Sequence, residues 1–584
     1  MKVFDAEISH LSVGYIRRLF VESSDFDCVN NRIEKISGIV SFFECTEDLI
    51  RCKNEIGEDE NFVVEEDRSE YGDFQTNIKL ANSVVEKLQD RGISPDFVIE
   101  PTCGKGNFIL AVIQQFTKVK NIVGIEIHKP YVWQCKWNIL NYYLLNPTAN
   151  RPSIHIYNQN VFNFDFNKIR KAIGDSSLLV LGNPPWVTNS KLGACDSLNL
   201  PAKSNFKKQK GFDAITGKGN FDIAEYITYS IFKSLGTKEG YLAFLIKNSV
   251  VKNIVFEQKK AKYPISNIIE ENIDSKKEFN VSVDASLFSC KLNSTPEYIC
   301  DVSDFYTNEH QKKFGWHLDK FLAKIISNTL DIDGKCPFVW RQGIKHDCNK
   351  IMELVSNNGR YTNKLNETFE LEDDLVYNLL KSSDLKGEVV LNARYKTIMT
   401  QKKSGENTQH IYKYPLTSKY LLDHKTYFDL RKSSIYKGKP EFSIFGVGDY
   451  SFKPYKVAIS GMYKTYHFTL VLLDDNNKPI MLDDTCYLIG FDSLQDAVYY
   501  YILLNSEITR QFLSTISFPD AKRMINKEVL MRIDLLKLID KVPESYIKKE
   551  FNRISENYNL NVEYKKPDHC CIANHNECQL DLFQ

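Results

Sequence analysis

Residues 178–186 read Leu-Leu-Val-Leu-Gly-Asn-Pro-Pro-Trp, and the rest of the chain can be interpreted outward from them. A short apolar run before turn residues is typical of a buried strand, and two consecutive prolines stiffen the loop that follows it. Asn183 offers an amide oxygen, Pro184 a carbonyl oxygen and Trp186 a flat ring. Two acceptors beside an aromatic ring suit a planar substrate with an exocyclic amine, although a strand-ending turn with a core tryptophan would contain the same residues.

A glycine-containing loop lies upstream, after another short predicted strand. Residues 97–100 (Phe-Val-Ile-Glu) predict the strand, residues 101–107 (Pro-Thr-Cys-Gly-Lys-Gly-Asn) predict the loop, and a helix is expected over 108–116. Glycines let the backbone approach a ligand, and the N-terminus of the following helix offers free N–H groups. These are the usual parts of a nucleotide-type cofactor site, but the third glycine of the dinucleotide fingerprint is absent.

A carboxylate ends the next predicted strand, residues 122–126 (Ile-Val-Gly-Ile-Glu). Glu126 stands about 20 residues past the glycines, where an acidic residue commonly binds the ribose hydroxyls of an adenosine-containing cofactor. An ordinary acid at the end of a strand is the alternative. The alternation of strands and helices then continues and predicts a doubly wound α/β fold. The further strands are expected at 154–157, 241–246, 268–273 and 285–292, and the helices at 131–143 and from 221 onward.

Composition excludes several classes of protein. The 584 residues carry equal numbers of basic and acidic side chains, so no global charge indicates a nucleic-acid partner. No signal segment and no membrane-length apolar run is visible, which predicts a cytoplasmic protein without membrane contact. The 14 cysteines are scattered, and those near the C-terminus lack a paired spacing, so we expect reduced thiols and no metal site.

The chain divides by composition into four predicted parts: 1–73, 74–314, 331–545 and 550–584. The first is expected to contain helices at 8–20 and 33–43, followed by an acidic, solvated surface segment over 44–73. The second carries the cofactor motifs. In the third a helix is predicted over 493–512, with Ser493 as its N-cap. The last is a tail.

A local excess of basic residues marks the third part. Residues 394–464 contain 14 Lys and Arg residues against five Asp and Glu residues, with interleaved aromatic side chains. Such a stretch in a neutral protein favours contact with nucleic acid. Three lysines in the long polar loop after Trp186 could also meet phosphates, or could simply belong to a solvated loop. The predicted DNA contacts are Lys203, Lys207, Lys208, Arg394, Lys396, Arg431, Lys432, Lys437, Lys439, Lys453 and Lys456.

Taken in order, these features resemble gamma-class DNA adenine-N6 methyltransferases of bacterial type II restriction–modification systems. The ordered features are Phe74-Gln75-Thr76-Asn77, the loop from Glu100 to Gly106, Glu126, Asn183-Pro184-Pro185-Trp186 and the basic C-terminal half. The resemblance covers roughly residues 71–292, and its architecture continues to about residue 539. It implies a Rossmann-like S-adenosylmethionine-dependent methyltransferase domain followed by an α+β DNA target-recognition domain.

The resemblance also implies roles for individual residues. Asn183, Pro184, Pro185 and Trp186 would be catalytic, with the amine of a flipped adenine on Asn183 and Pro184. Trp186 and Phe279 would stack on the target base. Glu126 would take the ribose hydroxyls, Thr76 would lie at the methionine end, and Asn160 would read the cofactor adenine. The implied cofactor site comprises Thr76, Glu100, Pro101, Cys103, Gly104, Gly106, Glu126, Ile127, Asn160 and Asn183.

The sequence departs from the family pattern at three positions. Asn160 replaces the usual Asp, Asn77 replaces the Pro that follows Thr, and Lys105 replaces a small residue. The alternatives are a cytosine-N4 enzyme, although that group more often has Ser where Asn183 stands, and an RNA or protein methyltransferase. A DNA-binding defence subunit with a vestigial site also remains open.

The C-terminal pentapeptide Gln579-Leu580-Asp581-Leu582-Phe583 resembles the peptides by which bacterial proteins dock on the DNA sliding clamp. Gln579, Leu580, Leu582 and Phe583 would be the docking residues, inserted into a preformed groove. A tail folded onto its own domain is the alternative. Double-stranded DNA, a cognate restriction endonuclease and the clamp are therefore the expected partners.

Overall fold

The computed structural model describes residues 2–57, 74–188, 222–326, 331–357, 359–518 and 523–567. The chain divides into two compact units, Met1–Ile325 (unit 1) and Ile326–Gln584 (unit 2). No helix among the described residues is long and apolar enough to cross a membrane.

Unit 1 is built from helices on both sides of one large sheet. Its described helices are α1 (His10–Glu22), α2 (Phe26–Ser37), α3 (Thr46–Gly57), α4 (Ile78–Asp90), α5 (Asn107–Gln115), α6 (Lys129–Leu145), α7 (Phe166–Ile173), α8 (Ile223–Leu235), α9 (Asn248–Ala261) and α10 (Ser275–Phe279). Its described strands are β1 (Lys2–Val3), β2 (Ala6–Glu7), β3 (Phe97–Glu100), β4 (Asn121–Glu126), β5 (Ser153–Asn158), β6 (Leu178–Gly182), β7 (Gly240–Lys247), β8 (Ile265–Ile273), β9 (Ala285–Leu292), β10 (Ile299–Asp304), β11 (His310–His317) and β12 (Lys320–Leu322).

The sheet has the doubly wound topology that the sequence predicts. Its strand order is β12-β11-β10-β8-β9-β7-β6-β3-β4-β5, and the five strands β5, β4, β3, β6 and β7 are mutually parallel. β9 then runs antiparallel between β7 and β8. The chain order reverses between β3 and β6, and in such sheets ligands bind at the strand ends beside this switch point. The predicted α/β class is confirmed by this topology.

The first 57 residues differ from the expectation of a separate segment. Leu49, Cys52 and Ile56 of α3 are buried in the core of unit 1, so this part of the acidic stretch is not a solvated surface. The second helix begins at Phe26 rather than at Ile33, because the Asp25 side chain caps it and accepts the Cys28 N–H. It ends at Gly38, which adopts a left-handed conformation (φ +74°).

Unit 2 combines small sheets with a group of helices. Its described helices are α11 (Asn349–Met352), α12 (Pro415–Asp423), α13 (Lys425–Asp429), α14 (Leu494–Leu504), α15 (Glu507–Ile516), α16 (Lys527–Leu530), α17 (Leu535–Lys541) and α18 (Glu544–Asn557). Its described strands are β13 (Arg341–Gln342), β14 (Val355–Asn357), β15 (Arg360–Thr362), β16 (Thr368–Phe369), β17 (Val376–Leu380), β18 (Val389–Val390), β19 (Tyr395–Ile398), β20 (Tyr455–Ser460), β21 (Phe468–Val471), β22 (Met481–Leu482) and β23 (Cys486–Phe491).

Unit 2 is therefore of the predicted α+β type. One five-stranded sheet has the order β13-β23-β20-β21-β18, and two three-stranded sheets accompany it. Ser493 caps α14 as predicted, by accepting the Asp496 N–H. The single helix expected over 493–512 is instead two helices, because Ser506 provides a second N-cap and begins α15.

Candidate active site

The carboxyl ends of β3, β4, β5 and β6 surround a cavity of about 260 Å³ in unit 1. It lies beside the switch point of the sheet, where the fold predicts a ligand. Nine of the ten residues predicted for the cofactor site line it: Thr76, Glu100, Pro101, Cys103, Gly104, Glu126, Ile127, Asn160 and Asn183. The tenth, Gly106, is the N-cap of α5 and does not line the cavity.

The loop after β3 requires both of its glycines. Gly104 and Gly106 have φ angles of +51° and +83°, a region that other residues rarely adopt. A Cβ atom on Gly104 would lie 2.5 Å from the Gln75 side-chain oxygen, and one on Gly106 would lie 2.4 Å from the Cys135 sulfur. The same Gln75 oxygen accepts the Lys105 N–H at 3.3 Å. The loop is therefore closely packed between α6 and the segment that precedes α4.

Glu126 is fixed at the rim of this cavity by backbone groups. One carboxylate oxygen accepts the Gly104 N–H at 3.0 Å, and the other accepts the His128 N–H at 2.7 Å. These bonds hold the carboxylate between the end of β4 and the glycine loop. The position predicted to bind a ribose is thus rigid in the structure.

Glu100 ends the neighbouring strand β3, but its environment differs from that of Glu126. Its side chain is buried, and Oε2 has no hydrogen-bond partner among the described residues. Burial, together with Cys135 and Glu126 nearby, raises the pKa of Glu100 well above its usual range. Burial therefore favours the protonated form of the Glu100 carboxyl, which can donate one hydrogen bond and accept others.

Asn183 has a fixed orientation. Its Nδ2 donates to the Phe74 carbonyl at 2.8 Å and to the Thr76 hydroxyl at 3.2 Å. Because both of these contacts accept hydrogen bonds, the remaining atom must be the amide oxygen. That Oδ1 atom is buried without a partner among the described residues. An unpaired buried acceptor costs about 1–3 kcal/mol, so a donor from a bound molecule would be favoured there.

Trp186 is more enclosed than a free stacking surface. Its side chain is only 7% exposed, and its indole N–H donates to the Leu245 carbonyl at 3.0 Å. Its ring meets Phe279 edge to face, with centroids 5.0 Å apart, and Phe74 lies 5.7 Å away. These three rings form an aromatic cluster next to Asn183. Pro185 lines the cavity itself, whereas Pro184 and Trp186 do not.

Several residues around the cavity were not predicted from the sequence. The Thr102 hydroxyl is buried without a partner among the described residues, inside the glycine loop. Gln75 and Asn107 line the cavity, and the Asn107 amide donates to the Thr76 carbonyl at 2.7 Å. Ile223 and Ile227 of α8 close one wall. Their spacing of four residues places both on one face of the helix, a signal visible in the sequence.

The predicted DNA contacts of unit 2 occupy different environments. Lys432, Lys437 and Lys439 are exposed. Arg394 pairs with Asp384 at 2.8 Å, and Lys453 pairs with Asp492. Lys396 is half-buried on β19. Lys203, Lys207 and Lys208 lie outside the described residues, as do Gln579, Leu580, Leu582 and Phe583.

Two of the predicted DNA contacts, Lys456 and Arg431, are not exposed. Lys456 of β20 is fully buried, its ammonium donates to the Lys453 carbonyl at 2.7 Å, and burial lowers its pKa to about 7. Arg431 stacks over Tyr436 at 3.7 Å and donates to the His346 and Ser443 carbonyls. Its guanidinium therefore holds a loop together. Counting charges along the sequence could not reveal these contacts.

Metal ligands were not predicted. No cluster of three or more His, Cys, Asp or Glu side chains that could hold a metal ion occurs within the described ranges.

Comparison with known proteins places the chain in a family. The chain is 39% identical over 480 residues to the type II methyltransferase M.NspV of Nostoc sp. (strain ATCC 29411 / PCC 7524), a match that covers 81% of this chain and 98% of the relative. No family model matches the chain.

Solved structures give weaker similarities. The methyltransferase subunit of a type I restriction–modification system from Streptococcus thermophilus matches at 14% identity, with a TM-score of 0.29 over 52% of this chain and 72% of that chain. The type IIG restriction endonuclease BpuSI matches at 12% identity, with a TM-score of 0.34 over 87% of this chain and 63% of that chain. TM-scores this low carry no argument about function. The identity to M.NspV confirms the family predicted from the motifs: the chain belongs to the type II methyltransferases of restriction–modification systems.

Proposed function

We propose that this protein transfers a methyl group from S-adenosylmethionine to the N6 amine of an adenine flipped out of double-stranded DNA. The observation that carries this proposal is the buried Oδ1 atom of Asn183, which follows β6 and has no hydrogen-bond partner among the residues that the structure describes. In a restriction–modification system such methylation protects host DNA from a cognate endonuclease, which is the expected partner.

The cavity residues fit the proposed cofactor. Glu126 offers a fixed carboxylate for ribose hydroxyls, and Asn160 and Ile127 line the side where an adenine would lie. Glu100 and Thr102 each have a buried oxygen without a hydrogen-bond partner in the described ranges, which a polar ligand would satisfy. S-adenosylmethionine would supply an electrophilic methyl group on a sulfonium centre.

The roles of the substrate-side residues follow from elementary chemistry. The adenine amine is a weak nucleophile, because its lone pair is delocalised into the ring. Asn183 Oδ1 and the Pro184 carbonyl would accept its two hydrogens, which favours a tetrahedral nitrogen with a free lone pair. The two consecutive prolines restrict the backbone and hold the Pro184 carbonyl in place. Alignment of this acceptor with the substrate amine would then contribute much of the rate enhancement.

Base flipping must be offset by contacts to the extruded base. Unstacking costs a few kcal/mol, and stacking on an aromatic ring returns about 1–3 kcal/mol. Trp186 and Phe279 are the proposed stacking rings. They now meet edge to face, so their contact would have to open, or one ring would have to present its face to the base. In unit 2 the exposed Lys432, Lys437 and Lys439 are the proposed phosphate contacts.

Single-molecule sequencing of DNA from cells that express the protein tests the proposal, with an Asn183→Ala strain as the control. N6-methyladenine in one sequence motif, absent from the control, is the expected result. N4-methylcytosine in that motif would retain the mechanism and change the base. Unmodified DNA from cells with folded, cofactor-binding protein would contradict a DNA substrate.

A further inference from the structure

The end of β7 holds Trp186 from two directions. The Leu245 carbonyl accepts the indole N–H of Trp186 at 3.0 Å. Two residues further on, the ammonium group of Lys247 lies 3.4 Å from the Trp186 carbonyl and donates to it. Both the side chain and the backbone of Trp186 are therefore anchored to the strand next to β6.

Lys247 also joins this segment to the start of α8. Its ammonium forms an ion pair with Asp222, and the two side chains are only 15% and 7% exposed. Asp222 caps α8 by accepting the Ala224 N–H at 3.1 Å. The adjacent Ile223 N–H donates to the Val187 carbonyl at 2.9 Å. One lysine thus connects the Asn-Pro-Pro-Trp loop with the helix whose Ile223 lines the cavity.

We propose that Lys247 is a positioning residue for methyl transfer, acting through the backbone of Trp186 and the carboxylate of Asp222. This inference rests on the proposed function. Lys247 would keep the Pro184 carbonyl and Asn183 Oδ1 in register with the substrate amine without touching the substrate. Displacement of a catalytic group by about 1 Å can lower a rate about 100-fold. Removing one member of a buried ion pair also leaves the other charge uncompensated.

The test compares Lys247→Met, Asp222→Asn, the double variant and Lys247→Arg in the full-length protein. Single-turnover methyl transfer to DNA and the Kd for S-adenosylmethionine are measured separately. We expect Lys247→Met to lower the transfer rate about 100-fold, while the cofactor Kd stays within about threefold of wild type. Lys247→Arg retains the charge and should recover most of the lost rate. Lys118→Met is the control, because Lys118 is exposed and precedes β4, at the amino ends of the parallel strands, whereas Lys247 lies at their carboxyl ends.

The double variant distinguishes a joint role from two separate ones. If the two residues act as a pair, adding Asp222→Asn to Lys247→Met causes little further loss. Should Lys247→Met fail to fold, Asp222→Asn decides, since Asn still caps a helix but lacks the charge. A wild-type rate in these variants, or parallel losses of rate and cofactor affinity, would overturn the positioning role alone. No transfer by the wild-type protein would overturn the proposed function as well.

Discussion

The cavity of unit 1 and the basic region of unit 2 (residues 394–464) use polar side chains in opposite ways. Around the cavity, buried polar atoms converge on one space, and the Asn183 and Thr102 oxygens have no hydrogen-bond partner there in the described part of the chain. In the basic region the cations are dispersed: Lys437 is exposed, Lys453 is ion-paired and Lys456 is buried. Convergent groups should show large effects of single substitutions, whereas dispersed surface charges should show small effects that add.

Asn183→Ala should give the largest effect, because it removes the proposed acceptor for the target amine. We expect the methyl-transfer rate to fall about 100-fold to 1,000-fold, which is the usual effect of removing one hydrogen-bond donor from an oxyanion hole. Quantitative transfer from radiolabelled cofactor measures it. Asn146→Ala, an exposed asparagine at the end of α6, is the control and should behave as wild type. Equal rates for the two variants would contradict the assignment.

Gly104→Ala should come next. An alanine Cβ would lie 2.5 Å from the end of the Gln75 side chain, at a φ of +51°, and would displace that side chain, which lines the cavity. We expect the Kd for S-adenosylmethionine to rise at least about tenfold, the equivalent of 1.4 kcal/mol. Calorimetric titration measures this change.

Gly174→Ala provides the matched control for that experiment. Gly174 has a similar φ of +55°, but no atom of the described residues lies within 4 Å of an added Cβ. The control therefore shares the positive φ and lacks the collision. A similar loss of cofactor affinity in both variants would mean that strain alone, rather than the cavity, explains the effect.

The exposed lysines of unit 2 should give small effects that add. Alanine at Lys432, Lys437 or Lys439 should weaken DNA binding at every sequence, and each lost phosphate contact should reduce the salt slope by about 0.9. Fluorescence anisotropy over a salt series measures the slope. Lys549→Ala, an exposed lysine of α18 outside the basic region, should leave it unchanged. An equal change at Lys549 would remove the basic region from the interface.

Lys456→Met tests a lysine of unit 2 that is buried, in contrast to the exposed lysines. Burial lowers the pKa of Lys456 to about 7 in the folded protein, against about 10.4 in an unfolded chain. Between these two pH values the unfolded chain carries one more proton at Lys456 than the folded protein does. The free energy of unfolding therefore rises with pH, by at most about 1.4 kcal/mol per pH unit. The stability gained at high pH is therefore lost as the pH falls toward 7.

Urea unfolding of wild type and Lys456→Met at several pH values between 7 and 10 measures this linkage. The methionine variant lacks the titrating group, so its advantage should be largest near pH 7 and should shrink as pH rises. Parallel stability profiles for the two proteins would contradict the buried, neutral state of Lys456.

The sequence predicts well which residues lie around the cavity of unit 1, because local patterns determine their places. A strand, a glycine loop and an acid at a set spacing place Glu100, Gly104 and Glu126 at neighbouring strand ends. Long-range contacts were not predictable in this way. The Asn183 amide is oriented by the Phe74 carbonyl, which is 109 residues away. The Lys247–Asp222 ion pair likewise joins residues that no motif connects.

In unit 2 the sequence reveals the number of charges but not their environments. Lys456 and Lys453 are three residues apart on the chain, yet one is enclosed in a sheet and the other reaches Asp492. Burial depends on which strands pair with β20, and composition does not encode that pairing. The three added strands β10, β11 and β12 were missed for a related reason, since they extend the sheet beyond the last motif.

The most direct test of the central claim follows a labelled methyl group from cofactor to base. Purified wild-type protein is incubated with DNA and isotopically labelled S-adenosylmethionine, and the nucleosides are then separated and identified by mass spectrometry. We expect label in N6-methyladenine alone, and none with Asn183→Ala although that variant still binds the cofactor. Cofactor binding by the wild-type protein without label in any nucleoside would contradict it.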